Sequence, residues 1–160
     1  MPFKILTVCT GNICRSPSAE AVLRERLAEA GLAGRAMVDS AGTADYHIGE
    51  PPSERAVRLG ARRGYDLRAL RARQLCRADF ADFDLILAMD RGHLRHLKAL
   101  LPPDARCRVH LFLEVLPAAG PDVADPFYGD DSAYEAMLDA VEAAAPAWVD
   151  RLRQELLAQA

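Results

Sequence analysis

Cys9 and Arg15 stand six residues apart in Cys9-Thr10-Gly11-Asn12-Ile13-Cys14-Arg15-Ser16, and these two residue types at this spacing can carry out covalent phosphate chemistry. A thiolate is a nucleophile, and a guanidinium offers a planar fork of donors to two edges of an oxyanion. The apolar run from Phe3 to Val8 reads as a buried strand, and Ser16-Pro17 reads as a helix start with Ser as N-cap and Pro at the first helical position. Cys9 is thus expected between a strand end and a helix N-terminus. There the unpaired N–H groups and the positive end of the helix dipole favour both a bound phosphate and a thiolate. Gly11 and Asn12 supply residues that tolerate positive φ within the loop. With four Cys and 18 Arg, roughly 0.45 such pairs are expected by chance, so the spacing alone decides little. Context decides: Cys9 alone has Arg at that spacing, since Glu20, Asp82 and Leu113 stand six places after the other cysteines.

A departing alkoxide or phenoxide needs a proton, so this chemistry requires a general acid. Asp125 is the candidate, because Pro126 stiffens its backbone and a long loop over 114–131 can carry it across a pocket. Asp-Pro is also a common turn initiator. Other polar residues read more simply. His93 and His96, three apart with no acidic or Cys partner in sequence, suit a solvated helix face better than a metal site. Asp130-Asp131 reads as charged loop before a Ser132 cap, and Arg62, Arg63, Arg71 and Arg73 as scattered surface charge or a basic rim for acidic peptides.

These residues must be held by an alternation of strand and helix patterns, which points to βαβ units and a parallel sheet covered on both faces. Ala19, Val22, Leu23, Leu27 and Ala30 fall at helical spacing before Gly31. Ala36-Met37-Val38 reads as a short second strand, Ser53 as the cap of a helix through Arg63, and Leu85–Ala88 as a buried third strand. Asp90 caps a helix carrying Leu94, Leu97 and Leu101, which Pro102-Pro103 ends. Val109–Phe112 reads as the fourth strand, and Ser132 opens a last helix to about Leu157 in which Pro146 predicts a kink or break. Loops at the carboxyl ends of parallel strands build the site, and Cys9, Ser40 and Asp90 are expected there, each after a strand.

At 160 residues and 51% hydrophobic content, the chain suits one domain over 1–160. Net charge −3 gives no basic field for nucleic acid. No apolar run approaches the ~18 residues of a membrane span, and the start lacks a signal-peptide pattern, so no membrane association and a cytoplasmic location are expected. Cys9, Cys14, Cys76 and Cys107 form neither a secreted disulfide framework nor a Cys-x2-Cys zinc pair.

Taken together, Cys9–Ser16 and Asp125-Pro126-Phe127-Tyr128-Gly129 resemble the loop signature and acid loop of the low molecular weight protein tyrosine phosphatases. Asp39-Ser40-Ala41-Gly42-Thr43 and Ala88-Met89-Asp90 extend the resemblance over essentially the whole chain. It implies an α/β fold, a four-stranded parallel sheet with helices on both faces in a Rossmann-like or flavodoxin-like three-layer sandwich. It also implies hydrolysis of phosphotyrosine proteins or peptides through a cysteinyl-phosphate, with inorganic phosphate as product and no metal or other cofactor. Cys9 would be the nucleophile, Arg15 the phosphate clamp and Asp125 the general acid and then base. Thr10, Gly11, Asn12, Ile13, Cys14, Arg15 and Ser16 would bind phosphate; Ser16 would hydrogen-bond the thiolate, and Asn12 and Ser40 would support the loop, although both are also ordinary turn and cap residues. Tyr46, Phe127 and Tyr128 would wall a slot deep enough for an aryl phosphate. Phe127 stands where Tyr is often found, and Leu70 where some relatives carry His. Cys14 would either protect an oxidised Cys9 through a disulfide or simply pack the loop.

Three other readings use the same residues. An arsenate reductase would need a closely spaced resolving pair, which Cys76 and Cys107, 31 apart, do not resemble. In the protein-arginine phosphatase branch the position of Ile13 is typically Thr, so Ile13 favours phosphotyrosine. A non-catalytic phosphopeptide-binding module could lose Cys9 or Asp125, and both are present.

Overall fold

Strand β1 (Phe3–Cys9) runs through the middle of the molecule and takes its neighbours on both sides: β2 (Ala36–Gly42) on one, β3 (Leu85–Ala88) on the other, with β4 (Arg108–Leu111) outside β3. A computed structural model describes residues 1–158. All three strand pairings are parallel, with Cys9 opposite Gly42 and Val8 opposite Ala88. Alternation along the strands divides the core. Ile5, Leu85 and Leu87 pack with Val22, Leu23 and Leu27 of α1 (Arg15–Glu29), Leu59 of α2 (Glu54–Arg62) and Val141, Trp148 and Leu152 of α5 (Asp131–Ala158). Leu6, Val8, Ile86 and Ala88 pack with Phe80 of α3 (Asp79–Asp82) and Leu97 of α4 (Arg91–Leu100). The result is the three-layer α/β sandwich expected from the sequence. Strand order reverses at β1, so the crevice beyond the carboxyl ends of β1 and β3 is where such a sheet accepts a ligand.

Several boundaries differ from the sequence reading. β2 continues to Gly42, because β1 offers a seven-residue parallel partner even after the apolar signal stops at Val38, and Ser40 lies inside the strand instead of after it. α1 begins at Arg15, so Ser16 is within the helix and does not cap it. β4 ends at Leu111, and Phe112, read as strand, opens the first of two short 3₁₀ turns, Phe112–Val115 and Pro117–Ala119, the second within the 114–131 segment read as loop. Asp130, not Ser132, caps α5: its Oδ1 accepts from Ser132 N–H at 3.0 Å, Ala133 N–H at 3.3 Å and Ser132 Oγ at 2.6 Å. A carboxylate suits the positive helix end better than a hydroxyl does. α5 also continues through Pro146, held on both sides by buried Ala144, Ala145, Trp148 and Val149. No described helix is long and apolar enough to cross a membrane.

Candidate active site

β1 ends at Cys9, and the loop that follows turns through Asn12, the one described non-glycine residue with positive φ, at 59°. That turn delivers the chain into α1 at Arg15, whose first-turn N–H groups no helical carbonyl can satisfy, leaving them to an anion. The Asn12 N–H points back to Cys9 Sγ at 3.3 Å, and Ser16 Oγ lies 2.9 Å from the same sulfur. Ser16 has given up the capping role for this contact.

Donor accounting sets the direction of that contact. Asn12 Oδ1 accepts from the Arg73 N–H at 3.0 Å, so its amide hydrogens go to Ser16 Oγ at 2.8 Å and Ser40 Oγ at 2.9 Å. Ser40 spends its single hydrogen on Glu20 Oε1 at 2.6 Å. The Ser16 hydrogen is thereby left for Cys9 Sγ, the only other acceptor among the described residues being Ala41 O at 3.5 Å. Burial pushes the Glu20 carboxyl up, while Ser40 and Arg24 pull against that shift. Asn12, Ser16 and Ser40 are thus joined to one another by hydrogen bonds beside Cys9. Glu20 and the Arg73 backbone, at its two ends, were not anticipated. The signal for Glu20 is its place four residues after Ser16, on the same helix face. Arg73 is a half-buried, paired charge: its guanidinium pairs with Asp39 and buried Asp79, and its carbonyl accepts the Gly42 N–H at 2.9 Å. Gly42 itself must be small, since a Cβ there would meet Thr10 O at 2.5 Å.

Arg15 is 4% exposed, and its aim is fixed from three directions. Nη1 donates to Asp90 Oδ2 and to Val123 O, both at 2.9 Å, and Nη2 lies 3.6 Å from Asp125 Oδ2. Asp90 follows β3 and caps α4 through the His93 N–H at 2.9 Å. Burial opposes ionisation of Asp90, yet the His93 N–H, the His93 ring and Arg15 outweigh it and hold the carboxyl below its usual value. Val123 donates to Met89 O at 2.8 Å, which pins the long loop two residues before Asp125. Asp125 Oδ1 then accepts the Phe127 N–H at 3.1 Å, leaving Oδ2 toward Arg15.

These groups line a cavity of about 280 Å³, where Cys9, Thr10, Gly11, Ile13 and Arg15 of the loop meet Tyr46, His47, Phe127 and Tyr128. Phe127 packs edge-on to Tyr128 at 4.8 Å and lies 6.0 Å from His47. His47, unassigned from sequence, sits against Gly11, where a Cβ would be 3.0 Å from its Cδ2. A larger hollow of about 810 Å³ lies at the opposite, amino-terminal ends of β3 and β4 beside Asp84 and Cys107. Convergent chemistry, not volume, distinguishes the smaller one.

Two other residues depart from expectation. His93 is 5% exposed, with Nε2 2.8 Å from Thr10 Oγ1, whereas His96 is solvated as read. Cys14 is buried with its Sγ 3.3 Å from Tyr134 Oη and 3.6 Å from Ser53 Oγ. Burial pushes the Cys14 thiol up and Tyr134 up to about 12. Leu70 packs, partly buried, against the main core.

A family model described as Low molecular weight phosphotyrosine protein phosphatase matches residues 4–158. The low molecular weight protein-tyrosine-phosphatase of Streptomyces coelicolor is 41% identical over 160 residues, 98% of this chain and 97% of that protein. A protein tyrosine phosphatase from Entamoeba histolytica, solved with Hepes in its active site, superposes with a TM-score of 0.91 at 32% identity, covering 96% of this chain and 98% of that one. A drosophila arginine phosphatase superposes with a TM-score of 0.88 at 28% identity, covering 94% and 98%.

Proposed function

The chain belongs to the low molecular weight phosphotyrosine protein phosphatase family, and from that premise we propose that it hydrolyses phosphotyrosine in proteins or peptides through a cysteinyl-phosphate on Cys9. The observation that carries this reading is the convergence on one cavity of Cys9, with Ser16 Oγ 2.9 Å from its sulfur, and of Asp125, 3.6 Å from the Arg15 guanidinium.

In the first step the Cys9 thiolate attacks phosphorus in line as the bond to the aryl oxygen breaks. Arg15 and the loop N–H groups hold the equatorial oxygens, and Asp125 gives its proton to the departing phenol. In the second, Asp125 as carboxylate takes a proton from the attacking water, the S–P bond breaks, and the Cys9 thiolate and inorganic phosphate are released. The Ser16 hydroxyl, donating to sulfur, improves Cys9 as a leaving group in that step. Tyr46, Phe127 and Tyr128, with His47, favour an aryl ester, and apolar Ile13 in the cavity lining suits phosphotyrosine better than phosphoarginine.

The test is metal-free turnover of an aryl phosphate and of phosphotyrosine and phosphoarginine peptides. Wild type is expected to prefer phosphotyrosine, and Cys9→Ser and Arg15→Ala to lose turnover while staying folded by circular dichroism. Residual rate in Cys9→Ser above about a thousandth of wild type would exclude the covalent route, and preference for phosphoarginine would move the chain to the arginine phosphatase reading.

A further inference from the structure

We infer that His93 is a positioning residue whose single imidazole ties Thr10 of the phosphate loop to the Asp90–Arg15 pair. The inference rests on the phosphatase reading only in taking that loop as the phosphate site. His93 lies in the first turn of α4 and is buried. Its Nε2 is 2.8 Å from Thr10 Oγ1, one residue after Cys9. Its backbone N–H donates to Asp90 Oδ1 at 2.9 Å, and its Nδ1 lies 3.1 Å from the same oxygen, off the axis of a good hydrogen bond and with no other partner among the described residues. Asp90 Oδ2 meanwhile takes Arg15 Nη1 at 2.9 Å. One ring therefore touches both parts of the anion site, the start of the loop and the carboxylate that aims the guanidinium.

The ring is neutral in this setting. Burial pushes its pKa down to about 4, with Arg15 and His96 acting the same way and Asp90 and Asp125 opposing. A neutral imidazole carries one N–H, and the Asp90 carboxylate beside Nδ1 favours the hydrogen there. Nε2 is then a lone pair that accepts from the Thr10 hydroxyl, which fixes that side chain from outside the loop. A Gln amide reaches the place of Nε2, whereas an Asn amide reaches only that of Nδ1, so the two substitutions separate the contact to Thr10 from the contact to Asp90.

The experiment is calorimetric binding of inorganic phosphate to wild type, His93→Gln, His93→Asn, Thr10→Val and the Thr10→Val/His93→Asn double variant, with aryl phosphate turnover measured alongside. His93→Asn and Thr10→Val are each expected to raise the phosphate Kd about fivefold, as loss of one buried hydrogen bond implies. His93→Gln should stay within about twofold and the double variant should bind no more weakly than the worse single one. Additive effects, rescue by Asn but not by Gln, or unchanged phosphate affinity with only thermal stability reduced would overturn the role of His93. Should the His93 variants not fold, Thr10→Val decides alone, and an unchanged Kd there overturns it. Wild type that neither binds phosphate nor turns over would overturn the phosphatase reading as well, whereas wild type that does both with an additive cycle would overturn only the His93 inference.

Discussion

Ser16 Oγ stands 2.9 Å from Cys9 Sγ, where a thiolate can only accept its hydrogen, while Asn12 Nδ2 donates to the same oxygen at 2.8 Å. A hydrogen bond to sulfur matters most when sulfur leaves as thiolate. Ser16→Ala should therefore slow breakdown of the phosphoenzyme about tenfold or more, since a bond to a charged group contributes about 1.5–3 kcal/mol. Rapid-quench kinetics should show a larger burst followed by a slower steady state. Equal slowing of both phases would contradict the assignment.

Asp125→Ala should lower turnover steeply for phenyl and alkyl phosphates and much less for esters of very acidic phenols, which leave without protonation. The slope of rate against leaving-group pKa, compared with wild type, is the measurement. A uniform loss across leaving groups would place Asp125 outside proton transfer.

Asp90 serves buried Arg15 and the N-terminus of α4 at once. Asp90→Ala leaves the guanidinium, among the described residues, with Val123 O and Asp125, and is expected to cost roughly 2–4 kcal/mol of stability together with most activity. Asp90→Asn keeps an oxygen for the cap, so its loss in a urea titration should be smaller while its activity stays low. A stable, active Asp90→Ala would remove Asp90 from the aiming of Arg15.

Cys14 is proposed to rescue Cys9 after oxidation. Peroxide converts a Cys9 thiolate to the sulfenic acid, and condensation with the Cys14 thiol expels water and leaves a disulfide that dithiothreitol reduces. Cys14→Ser should keep measurable turnover yet fail to recover its own untreated rate after peroxide and dithiothreitol, and intact mass should show added oxygens where wild type loses two hydrogens. Equal recovery in both, with no Cys9–Cys14 disulfide by peptide mapping, would leave Cys14 as packing against Tyr134 and Ser53.

His93 makes stability depend on pH. Its folded pKa of about 4 lies below the ordinary 6.5, so the unfolded chain binds the extra proton first as pH falls. The stability it confers is complete above pH 6.5 and is lost progressively down to about pH 4, by about 3 kcal/mol. Glu20, pushed up by burial, contributes with the opposite sign above its ordinary 4.5. The comparison is therefore chemical denaturation of wild type against His93→Gln across pH 4–7, and the variant is expected to show the flatter profile.

Much of this molecule is legible in its sequence because its cues are local. The run from Phe3 to Val8, Gly31 after α1, the Ser53 and Asp90 caps and the Leu85–Ala88 run each determine an element from neighbouring residues alone, and the alternation of those elements implies a parallel sheet. Cys9, Arg15 and Asp125 are legible as a candidate set because the roles proposed for them, nucleophile, anion clamp and acid, are chemically complementary, and Cys9 and Arg15 also keep a fixed spacing.

Tertiary structure alone decided which side chains support that set. Ser16 reads as a helix cap and becomes a donor to sulfur because the loop, turning at Asn12, starts α1 at Arg15. β2 reaches Gly42 because β1 lies beside it, and only that pairing brings Ser40 to Asn12. His93 looks solvated beside His96, yet the packing of α4 against β3 and β4 turns it inward to Thr10, 83 residues away in the chain. Helical periodicity says which residues share a face. Which face is covered, and by which distant loop, is determined by the parallel crossovers, whose contacts lie too far apart in sequence to leave a local signal.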